Sequence, residues 1–295
     1  MNTILITGGT GFIGSHLINA LINNTNNNII ITVQKNSNLW RIKNHIKKIK
    51  IFDIDNNNVE QLFLDNKINA IVHLACKYGK NNHNFMELIE TNLIFSLKIL
   101  NLAIKYNVET FINTDTFFNN KISKSNYMVS YTLSKKHFSE WLELTKSTKV
   151  INLKLHHVYG PKDNPEKFIP WLISQLKMNK DKILLSSGNQ YRDFIYIDDV
   201  INAYLTVIDK KDQISNNSEF EVKTGKVTTV KDFIKLVRKL YKEIDFTNRT
   251  ILGFSEIADL DESIGIINSK NSELIGLGWI IQNSLEDGIK KTIEE

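Results

Sequence analysis

The chain has 295 residues, of which 42% are hydrophobic, and it carries a net charge of +5. It is long enough to bury a substantial core, in one large domain or two modest ones. The lysines are spread along the sequence, and their densest run, residues 43–50, has no interleaved aromatic residues, so we expect no nucleic-acid partner. No apolar run suggests a signal peptide or a membrane partner. The single cysteine, Cys76, excludes an internal disulfide and fits the cytoplasm.

The first predicted elements are a buried strand, a glycine turn and a helix. The apolar run at residues 4–6 leads to Gly8, Gly11 and Gly14 in the spacing G-x-x-G-x-x-G, and a helical pattern follows. A turn without Cβ atoms lets the backbone approach a pyrophosphate, and the helix N-terminus offers free N–H groups and a positive dipole. This combination predicts a dinucleotide-binding site.

Strands then alternate with helices along the chain. Further buried strands are predicted at residues 29–33, 49–54, 70–75, 110–114 and 150–155, and helices between them at residues 59–65, 85–106 and 131–146. The alternation predicts an α/β fold with a doubly wound parallel sheet covered by helices on both faces. Ligands of such sheets bind beyond the carboxyl ends of the strands, so the residues that directly follow each strand are site candidates.

The pattern changes after Pro161. Helices are predicted at residues 168–178, 229–241 and 285–293, a short strand at 182–185, and a return to the main sheet at 194–208. We therefore expect a dinucleotide-binding domain of residues 1–158, with 192–212 returning to it. Residues 159–191 and 213–295 are expected to form a smaller substrate-binding lobe that closes over the reactive end of the cofactor.

Tyr131 and Lys135 lie four residues apart, on one face of a predicted helix. Reduction of a carbonyl needs a proton donor at oxygen while hydride arrives at carbon, and a neighbouring lysine would lower the pKa of a tyrosine from about 10. The preceding strand ends at Thr114 and Thr116, whose hydroxyls could hold a carbonyl oxygen beside Tyr131. A surface helix pair and ordinary turn chemistry are the alternatives.

In this order, the motifs resemble the extended short-chain dehydrogenase/reductases of the nucleotide-sugar epimerase/dehydratase family over essentially the whole length. The matching motifs are residues 8–14, Phe52-Asp53-Ile54, His73-Leu74-Ala75, Thr91-Asn92, Tyr131 with Lys135, Val158-Tyr159-Gly160-Pro161, and residues 188–195. The resemblance implies a Rossmann-like sheet with a smaller C-terminal α/β lobe. It also implies a nucleotide-diphosphate sugar as substrate and a homodimer formed by helices at 95–106 and 138–145.

The same resemblance implies roles for individual residues. Thr116 is expected to be the catalytic hydroxyl, with Thr114 as the alternative, and Tyr131 the proton donor or acceptor. Lys135 would bind the nicotinamide ribose and lower the pKa of Tyr131. The implied cofactor-binding residues also include Gly8, Thr10, Gly11, Phe12, Ile13, Gly14, Asp53, Ile54, Leu74, Ala75, Cys76, Asn92, Thr114, Leu155 and Val158. The implied substrate-binding residues are Thr116, His157, Phe168 and Arg192.

Arg192 and His157 differ in how well they match the residues found in the family. Arg192 matches an arginine that grips the nucleoside diphosphate, and a guanidinium suits phosphate oxygens. His157 stands where many relatives carry an amide residue, so a purely structural role is an equal alternative for it.

The predicted cofactor is NADP(H) rather than NAD(H). Relatives that bind NAD usually carry an acidic residue near the end of the second strand, for the ribose hydroxyls. Residues 33–38 contain none. Lys35, Asn36, Ser37 and Arg41 could instead receive a 2′-phosphate, the alternative being that the two cations are simply solvated. We predict no metal site.

The residues after Thr116 narrow the reaction. Sugar-nucleotide 4,6-dehydratases of this family carry Asp-Glu there, as acid and base, whereas this chain has Phe117 and Phe118, which cannot transfer protons. We therefore predict NADPH-dependent reduction of the 4-keto group of a nucleotide-linked 4-keto-6-deoxyhexose, in deoxysugar biosynthesis. A nucleotide-sugar 4-epimerase with tightly held NAD is the alternative, and a non-catalytic NAD(P)-binding sensor is a further one.

Overall fold

A computed structural model describes residues 2–78, 84–120, 128–259 and 272–294. The strands are β1 (Thr3–Thr7), β2 (Asn28–Val33), β3 (Lys50–Asp53), β4 (Ala70–His73), β5 (Thr110–Thr116), β6 (Lys149–Leu155), β7 (His157–Tyr159), β8 (Lys182–Leu184), β9 (Tyr191–Tyr196), β10 (Ser218–Val222), β11 (Val227–Thr229) and β12 (Ile251–Gly253). The α-helices are α1 (Phe12–Asn24), α2 (Val59–Asp65), α3 (Phe85–Ile89), α4 (Ser96–Lys105), α5 (Val129–Glu143), α6 (Phe168–Lys177), α7 (Ile197–Lys210), α8 (Val230–Ile244), α9 (Ser272–Gly276) and α10 (Leu285–Glu294).

A seven-stranded parallel sheet forms the larger part of the molecule, in the order β10-β6-β5-β4-β1-β2-β3. Its central strand β1 places Ile4 opposite Ile29 of β2 and Ala70 of β4. The six strands predicted from apolar runs are all present, so the predicted Rossmann-like, doubly wound α/β fold is confirmed. Five of them are mostly buried and read as apolar runs, whereas β3, at the edge of the sheet, is only partly buried.

Helices cover both faces of this sheet. On one face, α1 and α7 pack together over a core that includes Ile4 and Ile6 of β1. On the other face, α2, α4 and α5 enclose Leu5, Ile71 and Phe111. Alternate residues of one strand therefore enter different cores, as the two-residue period of a strand requires.

Two predictions about the second half of the chain are wrong. Residues 194–196 belong to β9, which pairs with β7 and β11 in a separate three-stranded sheet instead of returning to the main sheet. The sequence also predicts residues 213–295 in the smaller lobe. Strand β10 instead pairs with β6 and is the seventh strand of the main sheet. Helix α7, which follows β9, does pack against the main domain through α1.

The C-terminal segment is fastened to α7 through Asp199, whose side chain accepts hydrogen bonds from the backbone N–H of Gln282 (2.8 Å) and the amide of Asn283 (3.0 Å). The indole of Trp279 donates to the Asp199 carbonyl oxygen at 2.9 Å. These bonds join the C-terminal segment to α7, which itself packs against α1 of the main domain. In the part of the chain that the structure covers, no helix has the length and apolar character needed to span a membrane.

Candidate active site

The glycine turn between β1 and α1 brings backbone against backbone. Gly8 has φ +71°, and a Cβ there would lie 2.7 Å from the Ala75 nitrogen. A Cβ on Gly14 would lie 2.4 Å from the Gly8 oxygen. Helix α1 begins after Gly11 without a side-chain cap or an acidic residue in its first turn. The turn therefore leaves the helix N-terminus open to an anion, and its shape fits the pyrophosphate of a dinucleotide.

A chain of hydrogen bonds fixes the end of β4 against this turn. The Thr7 hydroxyl accepts from the Leu74 and Ala75 N–H groups (3.2 and 3.3 Å) and lies 2.8 Å from His73 Nδ1. His73 Nε2 lies 2.8 Å from the Ser96 hydroxyl. Burial, aided by the charge of Lys135, lowers the pKa of His73 to about 3. The network assigns a neutral ring in which Nδ1 accepts from Thr7 and Nε2–H donates to Ser96.

Asn92 lies in a π-helical segment, Glu90–Phe95, that joins α3 to α4, and it is buried. Its amide oxygen accepts from the Lys77 N–H (2.8 Å), and its amide nitrogen donates to the Lys77 carbonyl (2.9 Å) and to the Ser134 hydroxyl (3.0 Å). Asn92 thus clamps the loop after β4 to α5. These bonds give the Asn92 amide a role in positioning the site. Its contact with the cofactor stays a prediction.

The three predicted catalytic residues lie at the carboxyl end of β5 and on α5. Thr116, Tyr131 and Lys135 are all buried, with 4–6% of their surface exposed. The Thr116 side chain lies near enough to the Tyr131 phenol to lower its pKa, and the Tyr131 ring stacks on Tyr78 with a centroid distance of 5.0 Å. A hydroxyl and a phenol therefore converge on one point, where both can contact one carbonyl oxygen.

The pKa of Tyr131 moves in the direction opposite to the sequence prediction. Burial raises it well above its usual value, with Cys76, Tyr78 and Asp115 adding to the effect and the hydrogen bond from Thr116 opposing it. The free-energy cost of removing a phenolate from water is larger here than the stabilisation that the neighbouring groups give it. Tyr131 is thus a neutral phenol at neutral pH, a group ready to donate a proton.

The structure also separates Thr114 from Thr116. The Thr114 hydroxyl lies 2.6 Å from the phenol oxygen of Tyr204, a fully buried residue of α7. This contact commits Thr114 to α7, whereas Thr116 faces Tyr131. Tyr204 was missed by sequence reasoning, because nothing in the sequence pairs positions 90 residues apart. The thiol of Cys76 influences both Tyr131 and Tyr204, and burial raises its own pKa.

Aromatic side chains extend from Thr116 toward the smaller lobe. Phe117 stacks on His156 (4.8 Å between centroids) and packs against His157 (4.8 Å), and Phe118 packs on Phe117 (4.2 Å). We call Phe117 and Phe118, backed by His156 and His157, the aromatic wall. Burial lowers the pKa of His157 well below its usual range, with Arg192 the next cause.

Two predicted substrate residues, His157 and Arg192, are therefore neighbours. Arg192 is buried in β9, where one guanidinium nitrogen donates to the Tyr191 carbonyl at 2.8 Å. Phe168 lies at the start of α6, is 40% exposed and packs on Trp171. Its substrate contact stays a prediction.

The mouth of the cleft holds a cation that sequence reasoning missed. The Lys167 ammonium lies 5.5 Å from the Phe12 ring centroid and 5.3 Å from that of Tyr78. It pairs with the buried carboxylate of Asp163 at 2.9 Å. No sequence motif marks Lys167, since its contacts join the segment before α6 to the distant residues Phe12 and Tyr78.

The predicted 2′-phosphate residues differ in their surroundings. Lys35 is exposed, and its backbone N–H donates to the Asp55 carboxylate (2.8 Å). Arg41 donates through Nε to the Lys162 carbonyl (2.8 Å) and lies over the Trp40 ring. Arg41 is thus partly committed to a neighbouring loop, and Asp55 brings a carboxylate that the prediction from residues 33–38 did not include.

The remaining predicted cofactor residues lie on several elements of the structure. Asp53 accepts from the Asp55 and Asn56 N–H groups and shapes the turn after β3, while Ile54 donates its N–H to the Val33 carbonyl. Of the others, Thr10 lies in the glycine turn and Ile13 in α1, Asn36 and Ser37 follow β2, Leu74 follows β4, Leu155 ends β6, and Val158 lies in β7. Within residues 2–78, 84–120, 128–259 and 272–294, no cluster of three or more His, Cys, Asp or Glu side chains is arranged to hold a metal ion.

Comparison with known proteins agrees with this geometry. The model of the NAD dependent epimerase/dehydratase family matches residues 4–222. CDP-abequose synthase of Salmonella typhimurium is 32% identical over 99% of this chain and 97% of its own length. The Salmonella muenchen enzyme of that name is 34% identical over 98% and 96%. Human dTDP-D-glucose 4,6-dehydratase is 29% identical over 99% of this chain and 89% of its own.

Solved structures share the fold at lower identity. UDP-glucose 4-epimerase of Thermotoga maritima, solved with UDP-glucose, superposes with a TM-score of 0.82 at 24% identity, covering 99% of this chain and 97% of that one. UDP-glucuronic acid 4-epimerase of Bacillus cereus, solved with its substrate and NAD, gives 0.79 at 21% identity, covering 99% and 98%. These matches show the fold, and the family match together with the full-length relatives shows that the chain belongs to the NAD-dependent epimerase/dehydratase family.

Proposed function

We propose that this protein is an NADPH-dependent reductase of the 4-keto group of a nucleotide-linked 4-keto-6-deoxyhexose. The observation that carries the proposal is the convergence of the Thr116 hydroxyl on a neutral Tyr131 phenol. Two phenylalanines, and no acid or base, follow Thr116 in the sequence. The full-length similarity to CDP-abequose synthase supports the same reaction class.

In this proposal the glycine turn holds the cofactor pyrophosphate, and the ends of β4 and β6 flank the rest of the cofactor. When bound, the nicotinamide supplies hydride to the carbonyl carbon. Thr116 donates a hydrogen bond to the carbonyl oxygen and orients it. Tyr131 transfers its proton to the same oxygen as negative charge develops there. Lys135 binds the nicotinamide ribose, and its positive charge stabilises the phenolate that Tyr131 becomes.

The neutral Tyr131 supports reduction over epimerisation. A reductase starts with a protonated phenol, whereas a 4-epimerase must first remove a proton from the sugar hydroxyl and therefore starts with a base. Burial holds Tyr131 in the protonated form, which favours reduction. The turn that begins with Phe117 (Phe117–Asn120) offers no carboxylate for the elimination of water.

The test is NADPH consumption with a nucleotide-linked 4-keto-6-deoxyhexose, followed by absorbance. We expect consumption that requires the keto sugar and yields a 6-deoxyhexose with a 4-hydroxyl group. Interconversion of ordinary nucleotide sugars without added cofactor, by protein that retains nicotinamide through purification, would establish the epimerase instead. Cofactor binding without either turnover would establish the sensor.

We also propose that the protein is a homodimer through α4 and α5. Residues 99, 100 and 103 of α4 are buried against the sheet, but exposed apolar side chains remain on the neighbouring surface. They are Ile94 (47% exposed), Leu133 (42%), Trp141 (51%) and Leu144 (69%). Such a patch on one face is typical of an interface. Leu144→Glu should convert the dimer to a monomer in light scattering, whereas Leu184→Glu, at another exposed leucine (49%), should not.

A further inference from the structure

We propose that the aromatic wall makes the enzyme select keto sugars with a methyl group at C6 over those with a hydroxymethyl group. This inference rests on the proposed function and names the feature of the substrate that the site recognises. The residues that act are Phe117 and Phe118, which follow the catalytic Thr116 directly.

The wall begins at the reacting carbonyl. The Phe118 N–H lies 3.3 Å from the Thr116 hydroxyl oxygen and donates to it. The Asn119 amide donates to the Asp115 carboxylate at 2.6 Å and closes the same turn. Because Thr116 also lies near Tyr131, the two phenylalanines are one and two residues away from the hydroxyl beside which the carbonyl oxygen must lie.

The wall ends at the residue expected to bind the diphosphate. His157 packs against both phenylalanine rings, with centroid distances of 4.8 Å to Phe117 and 6.0 Å to Phe118. The charge of Arg192 acts on the same imidazole. A sugar whose carbonyl lies at Tyr131 and whose diphosphate lies at Arg192 must therefore pass along the wall.

The wall is firmly backed. His156 lies under Phe117 with its ring nearly parallel (20°), and its Nε2 is 3.6 Å from the Glu221 carboxylate. Glu221 in turn pairs with the ammonium of the buried Lys223 at 2.6 Å. Phe117, backed by a histidine that lies next to this ion pair, cannot easily move aside for a larger or polar group, and Phe118 packs on Phe117.

Chemistry then decides the preference. Phe117 and Phe118 keep part of their surface exposed at the carboxyl edge of the sheet, where ligands bind. A methyl group gains contact with the rings, whereas a hydroxyl loses its water and receives no hydrogen bond from them. An apolar pocket discriminates against an added hydroxyl by no more than about 100-fold, which sets the expected selectivity.

The experiment compares two nucleotide-linked 4-ketohexoses that differ only at C6. We expect the native enzyme to prefer the 6-deoxy compound by 10- to 100-fold in kcat/KM, on the order set by an apolar pocket. Phe118→Ser should reduce the preference to about fivefold or less, mainly by slowing turnover of the 6-deoxy compound. Phe118→Leu should retain most of it. Phe246→Ser removes an aromatic ring that is 88% exposed, and should leave the preference unchanged.

Binding separates this proposal from the proposed function. Calorimetry with stable nucleoside-diphosphate sugars that differ only at C6 needs no turnover, so it tests the wall even if the enzyme reduces neither keto sugar. Weaker binding of the 6-hydroxy sugar, lost in Phe118→Ser and kept in Phe118→Leu, supports the wall. Equal binding and equal kcat/KM for the two sugars in the native protein would overturn it, as would an unchanged preference in Phe118→Ser or in Phe118→Asn if the serine variant does not fold.

Discussion

The two halves of the cleft are built from different parts of the chain. Around Gly8 and Gly14 the contacts are made by backbone, and the critical property of each residue is the absence of a Cβ. Around Thr116 and Tyr131 the contacts are made by side chains, brought together from β5 and α5. In the proposed function, the first half holds a feature common to all dinucleotides, and the second determines what happens to a substrate.

This difference implies that binding and turnover can be separated by substitution. Changes in the glycine half should weaken the cofactor complex whatever reaction follows. Changes in the side-chain half should slow the reaction and leave cofactor binding intact. A variant in one half that changed both cofactor binding and turnover would show that the halves are coupled. The hydrogen bonds that link Thr7, His73 and Ser96 would then be the path of that coupling.

The largest effect is expected for Tyr131→Phe. Loss of the proton donor should lower kcat by about 1000-fold, within the range for general acid catalysis. Cofactor affinity should stay within about twofold of the native value, since the ring that stacks on Tyr78 is kept. Single-turnover kinetics and a fluorescence titration with NADPH measure the two quantities.

Tyr204→Phe is the matched control, because it removes another buried phenol hydroxyl. That hydroxyl pairs with Thr114, so its loss should lower the free energy of unfolding by about 1 kcal/mol. The effect on kcat should stay below about tenfold. Comparable losses of kcat in the two variants would show that the Tyr131 hydroxyl has no special chemical role.

Gly14→Ala should have the next largest effect, on binding. Its Cβ would lie 2.4 Å from the Gly8 carbonyl oxygen, so α1 or the turn must shift. We expect cofactor affinity to fall by about 100-fold, which corresponds to about 2.7 kcal/mol. Gly11→Ala is the control, because its Cβ would lie 3.1 Å from the same oxygen and its φ is −73°. Equal losses in both variants would refute the steric explanation.

The sequence predicted six strands of the main sheet from their apolar runs, and it missed β10 for a physical reason. This edge strand carries Glu219 and Glu221, which pair with Lys154 and Lys223. Its alternating charges hide the apolar run that marks the central strands. Residues 194–196 gave the opposite error, because β9 is buried from Arg192 to Tyr196 but lies in the smaller sheet.

The site was predictable where its geometry is local. The glycine turn follows from sterics within a dozen residues, and Tyr131 and Lys135 share one helix. The direction of the Tyr131 pKa shift was not predictable, because burial by Tyr78 and the charge of Asp115 come from other segments. The bond from Arg41 to Lys162 likewise joins residues 121 positions apart.

A pH dependence tests the link between the two halves. The buried His73 has a pKa of about 3 in the folded protein, against about 6.5 when unfolded. The unfolded chain therefore binds a proton first as the pH falls, and folding stability decreases from pH 6.5 toward 3. The loss attributable to His73 approaches about 1.4 kcal/mol per pH unit. Urea unfolding of the native protein and His73→Gln should give curves whose difference narrows with acidity. Parallel curves would contradict the assignment.

The smallest effect is expected where side chains at the cleft meet water. The Lys35 side chain is exposed, whereas the Arg41 guanidinium is held by a hydrogen bond to the Lys162 carbonyl. Exposed ion pairs contribute up to about 1 kcal/mol, so Lys35→Ala should reduce the preference for NADPH over NADH by about fivefold in kcat/KM. Arg41→Ala should reduce it less, since part of its guanidinium is committed to Lys162. Added salt should weaken the native preference in the same direction, because a 2′-phosphate on an exposed cation is screened. A preference for NADH in the native enzyme would show that the carboxylate of Asp55, and not the ammonium of Lys35, faces the ribose.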